Sequence, residues 1–464
     1  MNSTIGLLDQ VIFVVYLLAL AVIGVLTTKY ARTFEEYAVA GRRMKLWLAF
    51  STVAATWIGG GITIGVAGRA YAGRFIGAWG VAIGFSLTLF LLGLFYAGPL
   101  RKLNLYTLAD YYTTRFAKNW IGGLSAIIMF IAYVFAVTAQ LTAGAVLLSA
   151  VFGWDLTVSV LVTGLIIIFY TYLGGLWAVA LTDFLQLVIT FIGILLAVGL
   201  ATHTVGASKV AELVENSGML DPGIPLAISF WALVVVLGLG DIPAPDLVQR
   251  VYASKDDGTA KLSCIIAGFA YIAAGVVSMI VGLIMAHLQP GLEDPQMAYP
   301  VFIKTFLPMG IAGLTLSGLM AAVMSNADSM LLAPSIVLAK NLFKDILWKN
   351  WSERELLRAS KLLVLVLGVI STAIALTRAE ILYWLTLAFD VLFASLFVPL
   401  TLGLFWAKTT WQAAGASIIA GATSRLVLEV LFTAGYIVEW WIPSLLAPTV
   451  SLVVAIAVTL VTSE

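Results

Sequence analysis

Cysteine is nearly absent. Cys264 is the single one in 464 residues, so an intramolecular disulfide framework is excluded. There are only two histidines, His203 and His287, neither beside a suitable partner, and they offer no basis for haem or zinc chemistry. No nucleophile–base pair, metal cluster or nucleotide-cradling loop is present, which argues against an enzyme. Charged residues make up only 11% of the chain, and a formal charge of +1 gives no reason to expect a nucleic-acid partner. What is abundant is apolar surface, with 62% hydrophobic residues and a mean hydropathy of +1.05. Runs long enough to span a bilayer, roughly 17 to 25 residues, recur from one end to the other. The composition therefore predicts an all-α polytopic membrane protein, with residues 1–464 forming a single transmembrane domain in contact with lipid. The first run, Ile5 to Leu26, lacks a basic leader and a small-residue cleavage site, and reads as a retained helix.

Length and apolarity place thirteen transmembrane helices, centred at about residues 16, 58, 86, 135, 165, 191, 235, 273, 324, 367, 392, 422 and 452. Assigning alternate loops to opposite sides gathers nineteen of the 25 Lys and Arg residues, from Lys29 to Lys408, on one face. Arg69, Arg74, Lys209, Lys304 and Arg378 lie opposite, and Arg425 alone falls within a span. The basic face is expected to be cytoplasmic, which puts the amino terminus outside and the carboxyl terminus inside a plasma (inner) membrane. Two longer segments, His203 to Pro225 and His287 to Pro308, read as flexible connectors, with extracellular lids as the alternative. The run from Lys340 to Lys361 reads as a solvated loop.

Two spans carry helix breakers near their centres. Gly59, Gly60 and Gly61 each cost roughly 1 kcal/mol of helix stability relative to alanine. In the segment GLGDIPAPD, Pro243 and Pro245 remove two amide donors. A backbone break at membrane depth is tolerated only where protein or a lined cavity takes up the freed carbonyls. Paired interruptions of this kind point to the substrate site of a secondary transporter. They fall in the second and seventh spans, an interval that predicts two inverted five-helix repeats, about 46–201 and 224–406. One helix precedes them (about 5–28) and two follow (about 411–462).

The ninth span adds polar residues where they are expensive: Ser325, Asn326, Asp328 and Ser329 lie within five positions. Hard cations take carbonyl, hydroxyl and carboxylate oxygens. This cluster and the Gly59 break could therefore form a cage; alternatively, Ser325 and Ser329 hydrogen-bond a neighbouring helix.

The segments STVAATWIGGG, YTYLGGLWAVALTDFLQ (Tyr170 to Gln186), VQRVYASKD (Val248 to Asp256) and LMAAVMSNADSMLLA resemble, in order and spacing, signatures of the sodium:solute symporter family. Within it they are most similar to the high-affinity choline transporter branch. The resemblance implies a LeuT-like fold and coupled uptake of Na⁺ and a small organic solute. Carried over by motif, the Na⁺ ligands would be the carbonyls of Ala55, Ile58 and Ala322 and the hydroxyl of Ser325. The family usually places a hydroxyl residue next, whereas this chain has Asn326, whose amide oxygen can also coordinate. Asp183, at an acidic position of the family, and Asp328 are candidates for a second Na⁺. The alternative is that Asp183 pairs with a cytoplasmic lysine or caps its helix.

For the solute, Trp57 sits at the first break, and Phe85 and Tyr133 fall where the choline branch also has aromatics. Three rings could hold a quaternary ammonium, each contributing about 0.5 to 2 kcal/mol; ordinary helix packing explains Phe85 and Tyr133 as well. Ala244 stands where the branch has a tryptophan. Asp241 and Asp246 flank the second break and could balance a cationic substrate, or Asp246 could cap the restarting half-helix. Gln140 could orient substrate or bond a neighbouring helix. Gln249 and Arg250 read as anchors at the cytoplasmic interface, with a cytoplasmic gating ion pair as the alternative, and Arg425 with Glu429 as a peripheral pair. The expected function is Na⁺-coupled symport of a small amine such as choline, with proline-like amino acids or carboxylates as alternatives. A membrane sensor on a transporter fold is the alternative from another class. It would be expected to append a soluble signalling domain, whereas the sequence ends at Glu464, just after the last span. Oligomeric state is not legible.

Overall fold

A computed structural model describes residues 5–27, 33–173, 176–377 and 379–463. Lys29, Arg32 and Arg378, which entered the orientation argument, and Gly174–Gly175 of the second signature lie outside these residues, as does Glu464. Among the described residues every regular element is helical, apart from one isolated bridge between Met44 and Ser254.

Among the described residues nine helices are long and apolar enough to cross a membrane, two bent pairs qualify when each is taken as one span, and two shorter apolar helices remain. Together they coincide with the thirteen predicted centres. In chain order they are α1 (Leu7–Thr27), α2 in two halves, α2a (Leu46–Trp57) and α2b (Gly61–Tyr71), then α3 (Phe75–Lys102), α4 (Asn119–Phe152), α5 (Leu156–Leu173) and α6 (Leu176–Val205). Next come α7 in two halves, α7a (Ile228–Gly240) and α7b (Pro245–Ala253), then α8 (Asp257–Leu288), α9 (Ile311–Leu347) and α10 (Glu353–Ala375). Then follow α11 (Ile381–Phe405), α12 (Trp411–Thr433) and α13 (Trp441–Thr462). The axis bends by 49° in α2 and by 47° in α7, at the two stretches rich in Gly and Pro. Pro245 is accommodated because it opens α7b, where a missing amide costs nothing.

The centre of the bundle is α9, whose apolar window is wholly buried, whereas less than a third of the corresponding windows of α12 and α13 is covered. Leu165, Phe169, Phe269, Leu426 and Val453 are each more than half exposed, an apolar outer surface too extensive for a water-soluble monomer. Small residues set the close approaches inside. A Cβ on Gly282 of α8 would stand 2.2 Å from the Ala67 carbonyl oxygen of α2b, and one on Gly275 would stand 2.7 Å from Ala82 Cβ of α3. Such contacts replace the hydrophobic effect as the force between helices in lipid.

Two sequence expectations are corrected. The segments read as flexible connectors contain helices at Ala207–Asn216 and Ala298–Phe306. In the second, Tyr299, Phe302 and Ile303 are buried, because an apolar face had been hidden among Pro and acidic residues. The run read as a solvated loop is instead the end of α9, closing in a π-helical turn at Ala339–Leu347, and the start of α10. Its Lys340 is turned inward to ion pairs with Asp110 and with Asp345, the latter at 3.1 Å.

Candidate ion and substrate site

At the α2 break the hydrogen-bond ladder comes apart in a definable way. The Gly59 amide donates to the Trp57 carbonyl (2.9 Å) and the Gly60 amide to Gln140 Oε1 of α4 (3.1 Å). The carbonyls of Ala55 and Thr56 thereby lose their helical donors, while Ile58 leaves helical geometry altogether (φ −81°, ψ 69°). The glycines are there for room: a Cβ on Gly59 would lie 2.3 Å from Asn326 Nδ2, and one on Gly60 would lie 2.2 Å from Ala143 Cβ. The break is thus pressed between α9 and α4. Asn326 Oδ1 is buried without a hydrogen-bond partner beside these freed carbonyls. At the α7 break, by contrast, Thr88 of α3 donates to the carbonyls of Leu237 (2.8 Å) and Gly238 (3.1 Å), so that ladder end is already satisfied.

A chain of hydroxyls and carboxylates runs alongside. Asp183, fully buried on α6, accepts from Thr52 Oγ1 of α2a and from Ser325 Oγ of α9. Thr56 Oγ1 meets Ser329 Oγ at 3.5 Å. Asp328, also buried, accepts from Thr171 Oγ1 of α5. The structure thus joins Ser325 and Asp183, which the sequence had assigned to different ions, through one carboxylate, and brings α2a, α6 and α9 together at that point. Thr52, Thr56 and Thr171 were missed. Thr52 and Thr56 stand four apart, one helical turn, as do Ser325 and Ser329, and that matching period was the available signal.

Arg250 is not the interfacial anchor expected from sequence. It is fully buried and ties α7b to its neighbours, donating to the carbonyls of Asp246 (2.9 Å) and Thr52 (3.3 Å) and to Ser329 Oγ. An arginine one turn before the end of a short half-helix looks like an anchor until the partners from α2a and α9 are known. Asp246 accepts from the Leu247 amide (2.8 Å) and from Tyr133 OH, in the first turn of α7b where negative charge is favoured. Asp241 is buried with neither carboxylate oxygen hydrogen-bonded.

A small cavity of about 10 Å³, room for about one water, lies beside the α2 break. Trp57, Phe85 and Gln140 line it, as do Asn326 and two aromatics the sequence did not single out, Tyr271 and Phe389. The rings interlock: Phe85 and Phe389 centroids are 5.3 Å apart, Phe85 and Tyr271 5.7 Å, and Trp57 and Phe85 6.1 Å. Gly240, where a Cβ would be 2.4 Å from the Phe389 carbonyl oxygen, lets α11 bring Phe389 in. Tyr133, Asp241 and Asp246 are not among the lining residues; Tyr133 and Asp246 bond each other instead.

The model of the sodium:solute symporter family matches residues 37–421. The chain belongs to this family. Its members among known proteins include the human "High affinity choline transporter 1", 29% identical over 442 residues, covering 91% of this chain and 76% of the relative. The Escherichia coli (strain K12) "Sodium/proline symporter" is 26% identical over 445 residues, covering 90% and 87%. A solved substrate-bound, outward-open Na⁺-coupled sialic acid symporter superposes with a TM-score of 0.83 at 19% identity, covering 99% of this chain and 98% of the other. At that identity the match speaks for the fold, and it makes this family member LeuT-like.

Proposed function

We propose that this protein is a Na⁺-coupled symporter importing a small organic amine by alternating access, with Na⁺ held between the α2 break and α9. The observation that supports the ion site is the contact of the α2 break with α9: a Cβ on Gly59 would meet the Asn326 side chain at 2.3 Å, Asn326 Oδ1 is buried without a partner, and the ladder is broken at Ala55 and Ile58, whose carbonyls would join the Ser325 and Asn326 oxygens around the ion. Ala322, one turn before Asn326 on α9, would add a carbonyl. Asp183, already shared by Thr52 and Ser325, and Asp328 would serve a second Na⁺. Na⁺ bridging α2 and α9 orders the break that also walls the aromatic cavity, so ion and solute favour one closed state and raise each other's affinity by the same factor.

The aromatic box of Trp57, Phe85, Tyr271 and Phe389 supports a cationic solute. The Asp241 carboxylate, buried without a partner at the α7 break, is not among the residues lining that cavity; were it to turn toward a bound solute, an amine bearing N–H donors would bond it directly where a quaternary one cannot. A proline-like zwitterion is the second reading on the same observation. Tyr133 and Asp246 would act at the closure rather than on the solute, and Gln140 by fixing the Gly60 amide.

Two contacts, one at each end of α2, would serve as latches. On one side Arg69 pairs with Glu380 at 2.9 Å, and on the other the Met44 carbonyl accepts from the Lys255 amide (2.9 Å) while Arg250 spans α7b, α2a and α9. The basic-residue bias supports placing the second latch in the cytoplasm and the amino terminus outside a plasma membrane, with repeats at 46–201 and 224–406 rocking between the two. Uptake of choline and of proline by purified protein in liposomes tests this, with an inward Na⁺ gradient imposed or replaced by K⁺. Gradient-driven accumulation of either is expected; accumulation indifferent to Na⁺ would refute the coupling.

A further inference from the structure

Away from the central site, on the side of the Arg69–Glu380 latch, a much larger cavity of about 520 Å³ opens between α2b, α3, α7a, α11, α12 and α13. Its size is that of a small-molecule pocket rather than a packing defect. Its two ends carry opposite charge. At the mouth, two guanidinium groups share one carboxylate: Arg69 lies 2.9 Å and Arg74 3.9 Å from Glu380, leaving one positive charge in excess. Deeper, one guanidinium serves two carboxylates: Arg425 lies 2.7 Å from Asp390 and 2.7 Å from Glu429, leaving one negative charge in excess. Asp390 is 1% exposed and lines the cavity; its Oδ2 also accepts from Ser444, while Oδ1 is buried without a partner. A carboxylate oxygen so placed costs free energy unless a cation or donor reaches it. Tyr383 and Trp440 line the wall between the ends and offer ring faces to an ammonium group.

We propose that this cavity is a second binding site, separate from the transport site, for an elongated zwitterion whose ammonium group goes inward to Asp390 and Glu429 and whose anionic group stays at the mouth with Arg69 and Arg74. Glu380 and Asp390 are ten residues apart along α11, about 15 Å of helix axis, and Glu429 stands one turn nearer the mouth than Arg425. The ligand's charges are therefore separated by several bonds, further than in an α-amino acid. A zwitterionic lipid headgroup carries the same pair of charges, but its chains would have to leave through the mouth where the anion sits.

The test measures binding of 6-aminohexanoate to the full-length protein in nanodiscs by titration calorimetry at low ionic strength, where the exposed arginine is least screened. Hexylamine and hexanoate serve as single-charge controls, and 4-aminobutyrate and 8-aminooctanoate as length controls. The expected result is a preference of about tenfold or more for 6-aminohexanoate over both single-charge compounds, equal in NaCl and KCl, with an optimum in chain length. Arg74→Gln, at a side chain 69% exposed and so safe for folding, should abolish the preference over hexylamine. Glu429→Gln should abolish the preference over hexanoate. Nanodiscs of phosphatidylglycerol alone are compared with discs containing phosphatidylethanolamine: binding blocked only in the latter identifies the headgroup as occupant of the same site. Zwitterion binding no tighter than its controls in phosphatidylglycerol discs, or a preference untouched by both variants, would overturn the proposal.

Discussion

Ser325 shows how a single hydroxyl can stand between two roles. Its Oγ donates to Asp183, a charge-assisted bond of roughly 1.5 to 3 kcal/mol, and it sits one residue from the unpartnered Asn326 oxygen at the α2 break. Ser325→Ala deletes one oxygen ligand and one donor without creating a cavity of consequence. Its expected effect is to raise the Na⁺ concentration for half-maximal uptake about tenfold, which corresponds to 1.4 kcal/mol, while the lost bond to Asp183 lowers thermal stability in Na⁺ and K⁺ alike. An unshifted Na⁺ dependence would remove the residue from the ion site. Ser325 was legible as a candidate because a hydroxyl beside an amide and a carboxylate at membrane depth is costly. Arg250 was not. Its partners Thr52 and Ser329 are 198 and 79 residues away, and nothing in its own neighbourhood distinguishes a buried guanidinium from an interfacial one.

Among the elements, α2 and α4 are held at a distance set by two small residues. Gly60 has ordinary right-handed helical angles (φ −58°, ψ −31°), so alanine there would be conformationally welcome and worth up to about 1 kcal/mol. The opposing term is the 2.2 Å approach to Ala143 Cβ, a backbone-bound atom that cannot rotate away. Overpacking of that kind costs about 1–3 kcal/mol and wins. Gly60→Ala should therefore push the break off α4, break the Gln140 bond and reduce transport severely. Adding Ala143→Gly should restore most of the activity, and failure of that rescue would mean that the glycine serves something other than this contact. The breaks themselves were legible because Gly and Pro act locally. The order of the aromatic box was not: Phe389 and Tyr271 come from α11 and α8 in plain apolar runs, where every Phe reads as lipid-facing or core alike, and only the crossing at Gly240 brings Phe389 inward.

For the molecule as a whole, hydropathy and the spacing of two breaks sufficed for thirteen spans and a LeuT-like arrangement, since a bilayer permits few other ways to satisfy a backbone. The connecting segments gave less, because amphipathic helices lying against the bundle have no such constraint. One long-range contact sets an unusual condition on the whole. Asp9 of α1 is buried and accepts from the amides of Gly310 (2.6 Å) and Gly313 (2.8 Å), capping α9 from another helix 301 residues earlier. Asp9→Ala leaves those amides unmet and should cost about 1–2 kcal/mol, seen as a lower yield of monodisperse protein with unchanged Na⁺ affinity in what folds. A changed Na⁺ affinity would place α1 in the coupling machinery instead. The same contact has a temporal side. At about 5–20 residues per second on the ribosome, the carboxylate leaves the exit tunnel some fifteen seconds to a minute before its partners exist. During that interval an acidic group waits in or near the bilayer without the amides it will hold, so assembly of the central helix α9 is timed by the last-made half of the protein reaching back to the first.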